Sequence, residues 1–149
     1  MMATDMLVDL RDFVTARHAD YSDGSPDVEV RRATDSDRER LSSLITSEFA
    51  ESWMGATAVA YQRRPVSAFA AIRGHEVIGF AFYDIAFRGY FGPTGVNEAD
   101  RSAGIGARLL IAALSDMVLK GYAYAVIGDV GPIEFYEKVC GAMVISKGD

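Results

Sequence analysis

The chain has little cysteine, little histidine and no long apolar run. Its 149 residues include one cysteine, which excludes an intrachain disulfide bond and leads us to expect a reducing, cytoplasmic compartment. Two histidines and one cysteine do not give a zinc-ligand spacing, so we expect no metal. No segment approaches the ~20 apolar residues that cross a bilayer. We therefore expect no membrane partner. The aspartates Asp5, Asp9 and Asp12 are atypical of a signal peptide, which also favours the cytoplasm.

Basic residues are also scarce relative to acidic ones. Fifteen lysines and arginines stand against 21 aspartates and glutamates, for a net charge of -6. A nucleic-acid surface must neutralise phosphates with positive charge, so nucleic acid is not an expected partner. Half of the residues are hydrophobic and 24% are charged, which is the balance of a globular protein. The length suits one domain with a single core.

The most informative segment is the run of residues 101–108, RSAGIGAR. Gly104 and Gly106 stand behind Arg101, where a strongly periodic helix is predicted to begin. Backbone amides at such a helix N-terminus suit a pyrophosphate. The G-x-G-x-x-G fingerprint of a dinucleotide site and the Gly-Lys-Ser/Thr of a phosphate-binding loop are both absent. A tight turn would explain the two glycines as well, so both interpretations stay open at this point.

The hydrophobic periodicity predicts a mixed α/β sheet from residue 28 onward. Gly74 and His75 join two alternating segments into a hairpin, and the apolar run at residues 122–127 is typical of a strand buried on both faces. The predicted order is strand 28–32, helices 35–49 and 51–63, strands 67–73, 76–85 and 87–96, helix 105–120, strand 122–127, helix 132–139 and strand 142–146.

The first 27 residues are predicted to form a helix and a linker. Met6, Leu10, Phe13 and Val14 fall on one side of a helix, and residues 21–26 are rich in turn formers. We expect this N-terminal extension to pack on the main domain or on another subunit.

Two motifs together resemble the GNAT superfamily of N-acetyltransferases. The R/Q-x-x-G-x-G/A motif of its acyl-coenzyme A site matches Arg101, Gly104 and Gly106. Downstream, Phe135-Tyr136-Glu137-Lys138 followed by Gly141 resembles the F-Y-x-K-x-G-F segment of the same superfamily. Ser102 and Ala103 stand where the family usually has glycine and a basic residue, so anion binding would rest on backbone amides with Arg101 and Arg108.

The resemblance implies a GNAT-like acyltransferase domain over residues 28–149, with residues 1–27 as the helical extension and linker. The expected fold is a mixed, mostly antiparallel six-stranded sheet flanked by helices. The family's usual seventh strand is missing, or another segment or subunit supplies it. A missing strand leaves a sheet edge that a second subunit could cover, so a homodimer is an open alternative to a monomer.

The resemblance also implies acetyl-CoA as co-substrate and a primary amine, of a small molecule or a protein, as acceptor by direct attack. The coenzyme arm would lie along the strand before the glycine loop, and a backbone amide near Gly95 or Val96 would polarise the thioester carbonyl. The implied coenzyme-binding residues are Gly95, Val96, Arg101, Ser102, Ala103, Gly104, Ile105, Gly106 and Ala107.

Two catalytic residues follow from the same resemblance. Tyr136 matches the tyrosine that often serves as general acid for the leaving thiolate. Asp84 is the preferred general base, with water or one of three glutamates as alternatives. These glutamates are Glu48, Glu51 and Glu98.

The acceptor itself is not predicted, since residues 49–64 and 83–90, which would shape its pocket, match no known pattern. Trp53, Tyr61 and Tyr83 are candidates for that pocket or for the core. Two other functions stay open: a non-catalytic acyl-CoA-binding or partner-binding module of the same fold, and a Rossmann-like nucleotide binder.

Overall fold

The computed structural model describes residues 4–13, 25–101 and 103–146. Short 3-10 turns lie at Leu10–Asp12, Asp35–Asp37, Glu51–Trp53 and Glu98–Asp100. The strands and helices in chain order are β1 (Asp5–Asp9), β2 (Val28–Arg32), α1 (Arg38–Glu48), α2 (Ala56–Tyr61), β3 (Ala68–Arg73), β4 (Glu76–Tyr83), β5 (Tyr90–Val96), α3 (Ile105–Leu119), β6 (Tyr124–Ile127), α4 (Ile133–Cys140) and β7 (Met143–Ser146). Within the described ranges, no helix has the length and hydrophobicity needed to span a membrane.

The strands form one mixed sheet of seven, in the order β2-β3-β4-β5-β6-β1-β7. Neighbouring strands are antiparallel except β5 and β6, which are parallel. The predicted helices and strands from residue 28 onward are all present, several with shorter ends. The predicted helix 51–63, for example, is the turn Glu51–Trp53 followed by the short α2.

The prediction of six strands and an N-terminal helix is wrong, because residues 5–9 form a strand. Met6 and Val8 are fully buried, and the residues between and beside them are only half-buried, which is the period-2 pattern of a sheet. Met6 lies opposite Ile127 of β6 on one side and Val144 of β7 on the other. The apolar spacing predicts a helix here, but pairing with β6 and β7 makes residues 5–9 a strand instead.

β1 therefore supplies the seventh strand from within the same chain. Val14 and the predicted linker up to residue 24 lie outside the described residues. A homodimer stays a prediction, and the missing strand no longer argues for it.

Two helical layers cover the sheet. Leu41, Leu44 and Ile45 of α1 pack with α2 on one face. Leu109, Leu110 and other apolar residues of α3 pack with α4 on the opposite face, against strand residues that include Met6 and Val8 of β1. α3, which begins at the glycine loop, and α4, which carries Phe135 and Tyr136 of the second motif, therefore lie on the same face of the sheet.

The parallel pair in the middle of the sheet opens after two residues. β5 is paired with β6 only at Tyr90–Val126 and Phe91–Ile127, and no other described strand lies on that edge of residues 92–96. Gly92 follows with φ +123°, and Pro93 has no amide proton to donate to a ladder. The sheet therefore splits where β5 continues with β4 alone.

Candidate active site

A cavity of about 350 Å³ fills this split, which we call the strand gap. Its volume falls in the range of about 300–1,000 Å³ that is usual for small-molecule sites. Its walls come from β5, from α3 and from α4 with the residue before it. The lining residues are Phe91, Thr94, Gly95, Val96, Arg101, Gly106, Leu110, Pro132, Phe135 and Tyr136.

The free edge of β5 turns two residues toward the strand gap. The Asn97 amide donates to the Ile78 carbonyl at 2.8 Å, and Gly79 lies opposite Val96, so Phe80 and Gly95 form the next hydrogen-bonded pair. Thr94 and Val96 alternate with these hydrogen-bonded residues, so their backbone amides and carbonyls point away from β4. Accordingly, the Val96 carbonyl accepts a hydrogen bond of 3.1 Å from Nε of Arg101. The sequence interpretation named Val96 but missed Thr94.

Gly95 plays a different part, because its amide faces β4. A Cβ atom added at Gly95 would lie 2.4 Å from Cε1 of Phe49. The Phe49 ring in turn stacks on Trp53 with 5.7 Å between centroids and meets Phe80 edge-on. Gly95 therefore allows the aromatic cluster after α1 to press directly against the strand beside the gap.

The glycine loop begins α3 at the mouth of the strand gap. Gly104 has φ +78°, a left-handed conformation that a glycine adopts without strain. The amides of Ile105, Gly106 and Ala107 form the first turn, where the helix itself offers no acceptor. A Cβ at Gly106 would make only ordinary contacts, at 3.9 Å from both Phe135 and Val96, so a side chain larger than that of alanine is needed to fill the gap.

The basic residues near the loop divide between the gap and the core. Arg101 is exposed and lines the gap. Arg108 is buried and donates to the carbonyls of Ser25 at 3.2 Å and Val28 at 2.7 Å, so it ties α3 to the chain before β2 and faces away from the gap. The expected anion contact of Arg108 is therefore wrong. Ala103 is half-buried against the core, and Ser102 lies outside the described residues.

Tyr136 reaches the strand gap from α4. It is 7% exposed and packs edge-on against Phe135, with 5.0 Å between ring centroids. Burial raises the pKa of Tyr136 to about 12, with a smaller contribution from Cys140. The phenol is therefore protonated at neutral pH, and the side chain forms part of the wall of the gap.

Asp84 lies at the end of β4 and does not line the strand gap. Its carboxylate accepts from the Gly89 amide and from the Tyr122 hydroxyl, both at 2.7 Å. Its carbonyl accepts from Arg63 at 3.0 Å. Asp84 is thus built into the turn between β4 and β5. Among the other carboxylates, Glu48 accepts from the exposed Glu98 amide at 3.4 Å.

A second cavity of about 630 Å³, which we call the side cavity, shares the lining residue Phe91 with the strand gap. Trp53 lines it, whereas Tyr61 and Tyr83 are buried in the core and donate to the Thr34 carbonyl and to Asp116. The lining residues are Asp5, Ser52, Trp53, Gly55, Ala56, Val59, Ile85, Ala86, Phe87, Tyr90, Phe91, Gly92, Pro93, Gly128 and Asp129. A larger depression of about 950 Å³ between α1 and the β3–β4 hairpin shares no residue with either cavity.

The family model of the Acetyltransferase (GNAT) family matches residues 33–142. This chain belongs to the GNAT acetyltransferase family. The match begins just after β2 and ends just before β7, so it includes the glycine loop, β5, β6 and α4. No curated protein sequence matches the chain.

Solved structures show the same GNAT fold. The chain superposes with a TM-score of 0.75 and 15% identity on the glucosamine N-acetyltransferase region of a fungal multi-domain β-N-acetylglucosaminidase, covering 97% of this chain and 20% of that one. A GCN5-related N-acetyltransferase from Sphaerobacter thermophilus gives 0.71 and 16%, covering 97% and 50%. The chain thus spans half or less of the length of these two proteins. A GNAT acetyltransferase from Brucella melitensis in complex with acetyl-CoA gives 0.57 and 18%, covering 82% and 93%.

The residues at the strand gap suit a coenzyme A thioester on four grounds. The edge of β5 offers unpaired amides, α3 offers the amides of its first turn, Gly106 leaves room beside them, and Tyr136 offers a proton. Across the described ranges, no cluster of histidine, cysteine and carboxylate side chains is arranged to hold a metal ion.

Proposed function

We propose that this GNAT protein transfers the acetyl group of acetyl-CoA to a primary amine, which attacks the thioester directly. One observation carries the proposal: the strand gap, walled by the α3 N-terminus and Tyr136, shares the lining residue Phe91 with a second cavity. Direct transfer needs two such spaces, one for the donor and one for the acceptor, that meet at the reacting carbonyl.

The coenzyme would be held by backbone groups more than by side chains. Val96 and Thr94 present amides and carbonyls along which the pantetheine arm would bind as an added strand. The amides of residues 102–107 would bind the pyrophosphate, supported by the helix dipole and by Arg101. The Brucella melitensis acetyltransferase of the same fold was solved in complex with acetyl-CoA, which supports acetyl-CoA as the coenzyme.

The chemistry moves one acetyl group and two protons. The amine nitrogen forms a bond to the carbonyl carbon, the carbon–sulfur bond breaks, and Tyr136 donates its phenolic proton to the departing thiolate. The proton lost by the amine passes to water, and water returns a proton to the Tyr136 phenolate. A β5 amide facing the gap stabilises the oxyanion that develops on the carbonyl.

We propose that Asp84 has a structural role in this protein and does not act as the general base. Its carboxylate oxygens already accept from Gly89 and Tyr122, and it lies off the walls of both cavities. It holds the β4–β5 turn, whose residues Ile85 and Phe87 form one wall of the side cavity.

Calorimetric titration with acetyl-CoA, with NAD and ATP as controls, tests the coenzyme. We expect micromolar binding of acetyl-CoA alone. Gly106→Ala should retain it, because the added Cβ makes only ordinary contacts at 3.9 Å. Gly106→Glu places a carboxylate in the gap and should abolish binding. Equal affinity for the Glu variant overturns the loop assignment, and absence of thiol release with a broad amine panel overturns the enzymatic function.

A further inference from the structure

We infer that the acceptor is a small primary amine with an apolar body, an arylalkyl or alkyl amine, and that the side cavity holds it. This inference rests on the proposed acetyl transfer and narrows its substrate class. Three features of the side cavity support it: its position, its walls and the sign of its charge.

The side cavity opens at the place where an acceptor must arrive. Phe91 is the last residue of β5 that pairs with β6, and it lines both the side cavity and the strand gap. A molecule in the side cavity therefore has one end at the fork of the sheet, where the β5 edge becomes free for the thioester. At about 630 Å³ the cavity is of the size that small-molecule ligands occupy.

The walls of the side cavity are predominantly apolar. Trp53 and Val59 form one wall, Ile85 and Phe87 of the β4–β5 loop form another, and Pro93 lies on β5. Phe87 is 65% exposed, and its ring centroid lies 5.1 Å from that of Tyr90 at the rim. An apolar ligand would cover this exposed ring, which is favourable in proportion to the area removed from water.

The same walls offer little to a polar acceptor. Apart from the Tyr90 phenol and the Trp53 indole N–H, Ser52 has the single neutral polar side-chain group among the described residues that line the cavity. An amino sugar would lose its hydration here without enough partners for its hydroxyl groups, and each unpaired buried polar group is costly.

The charge of the side cavity has one sign. Its charged lining residues, among those the structure describes, are Asp5 of β1 and Asp129 after β6. The Asp129 amide donates to the Asp5 carboxylate at 3.0 Å, which fixes Asp5 beside the end of β6. These carboxylates attract an ammonium group and repel an acceptor that carries its own carboxylate, such as a free amino acid.

The fluorescence of Trp53 tests this without catalysis, because Trp53 is the single tryptophan of the chain and lines the side cavity. The probes are 2-phenylethylamine, phenylalanine and glucosamine. We expect a saturable change with 2-phenylethylamine, about tenfold weaker binding of phenylalanine and about 100-fold weaker binding of glucosamine. Equal or tighter binding of glucosamine overturns the inference.

Two variants with matched controls locate the binding. Phe87→Ala should weaken 2-phenylethylamine about tenfold, whereas Leu119→Ala, which removes an 85% exposed apolar side chain elsewhere, should not. Asp129→Asn should weaken it about threefold, and the exposed Asp12→Asn should not. All four variants should keep the parent affinity for acetyl-CoA, which verifies their folding. Unchanged amine binding in both cavity variants overturns the inference.

Turnover separates this inference from the proposed function. Thiol release from acetyl-CoA with 2-phenylethylamine, at about 100-fold higher kcat/KM than with glucosamine, supports both. Release with glucosamine but not with 2-phenylethylamine overturns the acceptor class alone. Binding of 2-phenylethylamine and acetyl-CoA with no thiol release overturns the acetyl transfer, and the acceptor assignment falls with it.

Discussion

The Tyr122 hydroxyl donates a 2.7 Å hydrogen bond to Asp84, across the base of the β4–β5 turn. Asp84 has φ +58° and is almost fully buried. Its backbone is left-handed, a conformation that few residues other than glycine, asparagine and aspartate adopt without strain. The same bond contributes, after burial, to raising the pKa of Tyr122 to about 12. The pair therefore fixes the loop that walls the side cavity.

Tyr122→Phe should lower the free energy of unfolding by about 1–2 kcal/mol, because it leaves one oxygen of the Asp84 carboxylate without its donor. Urea unfolding measures this loss. Asp84→Asn should cost a similar amount, since asparagine tolerates the left-handed backbone but its amide nitrogen cannot accept from Tyr122. The pH profile of kcat should keep its shape in both variants. A loss of activity of about 100-fold with unchanged stability would instead make Asp84 the general base.

Tyr136→Phe should lower kcat by about 100-fold while leaving the affinity for acetyl-CoA unchanged, because it removes the proton donor and keeps the packing. With a pKa of about 12, the wild-type phenol stays protonated across the neutral and mildly alkaline range. The kcat profile should therefore show no alkaline fall due to Tyr136 in that range. Stopped assays of thiol release over pH, with calorimetry as the binding control, measure both effects. A variant with full activity would assign Tyr136 to packing alone.

Stability should decline in alkali because buried tyrosines must ionise when the chain unfolds. Burial raises the pKa values of Tyr61 and Tyr136 to about 12, against about 10 in the unfolded chain. Between these values the folded state holds protons that the unfolded state has lost, so the free energy of unfolding falls as pH rises through that window. Urea unfolding at increasing pH should show it, and Tyr61→Phe should reduce the slope. A flat profile would contradict the raised pKa values.

Because Phe49 and Gly95 are in direct contact, we expect substitutions at these two positions to have non-additive effects on the free energy of unfolding. Gly95→Ala should destabilise the fold by about 2 kcal/mol, because the new methyl group would overlap the Phe49 ring at 2.4 Å. In a Phe49→Ala background the same substitution should cost much less, since the ring is gone. Urea unfolding of the two single variants and the double variant gives the coupling energy. Additive effects would mean that the ring moves aside freely.

The sequence predicted the helices and strands from residue 28 onward because their periodicity and turn signals agree with the tertiary fold. It failed at residues 5–9, where Met6, Leu10 and Phe13 follow a helical spacing while Met6 and Val8 equally follow a strand's alternation. Only the pairing of β1 with β6 and β7, more than a hundred residues away in sequence, decides between the two patterns.

The candidate site divides in the same way. Arg101, Gly106 and Tyr136 lie in motifs, and the structure brings them to one cavity. Thr94 has no side-chain signature, because its place at the gap depends on the register of β5 against β4. Asp84 has the residue type of a base, but its hydrogen bonds to Gly89 and Tyr122 come from folding. The residues that line the side cavity come from five separate segments of the chain, so no local sequence pattern predicts this cavity.

Substitutions of the two glycines that flank α3 should separate an effect on coenzyme binding from an effect on stability. Gly104, before the first turn, and Gly121, after the last, have φ values of +78° and +93°. Alanine at either position should cost about 1 kcal/mol of stability, because both demand a left-handed backbone. Only Gly104→Ala should also weaken acetyl-CoA, since relief of its strain must reorient the amides of the first turn, whereas space around Gly121 is open and distant from the gap. Paired urea unfolding and calorimetry measure the two quantities. Equal loss of affinity in the two variants would show that general destabilisation, and not the loop, controls binding.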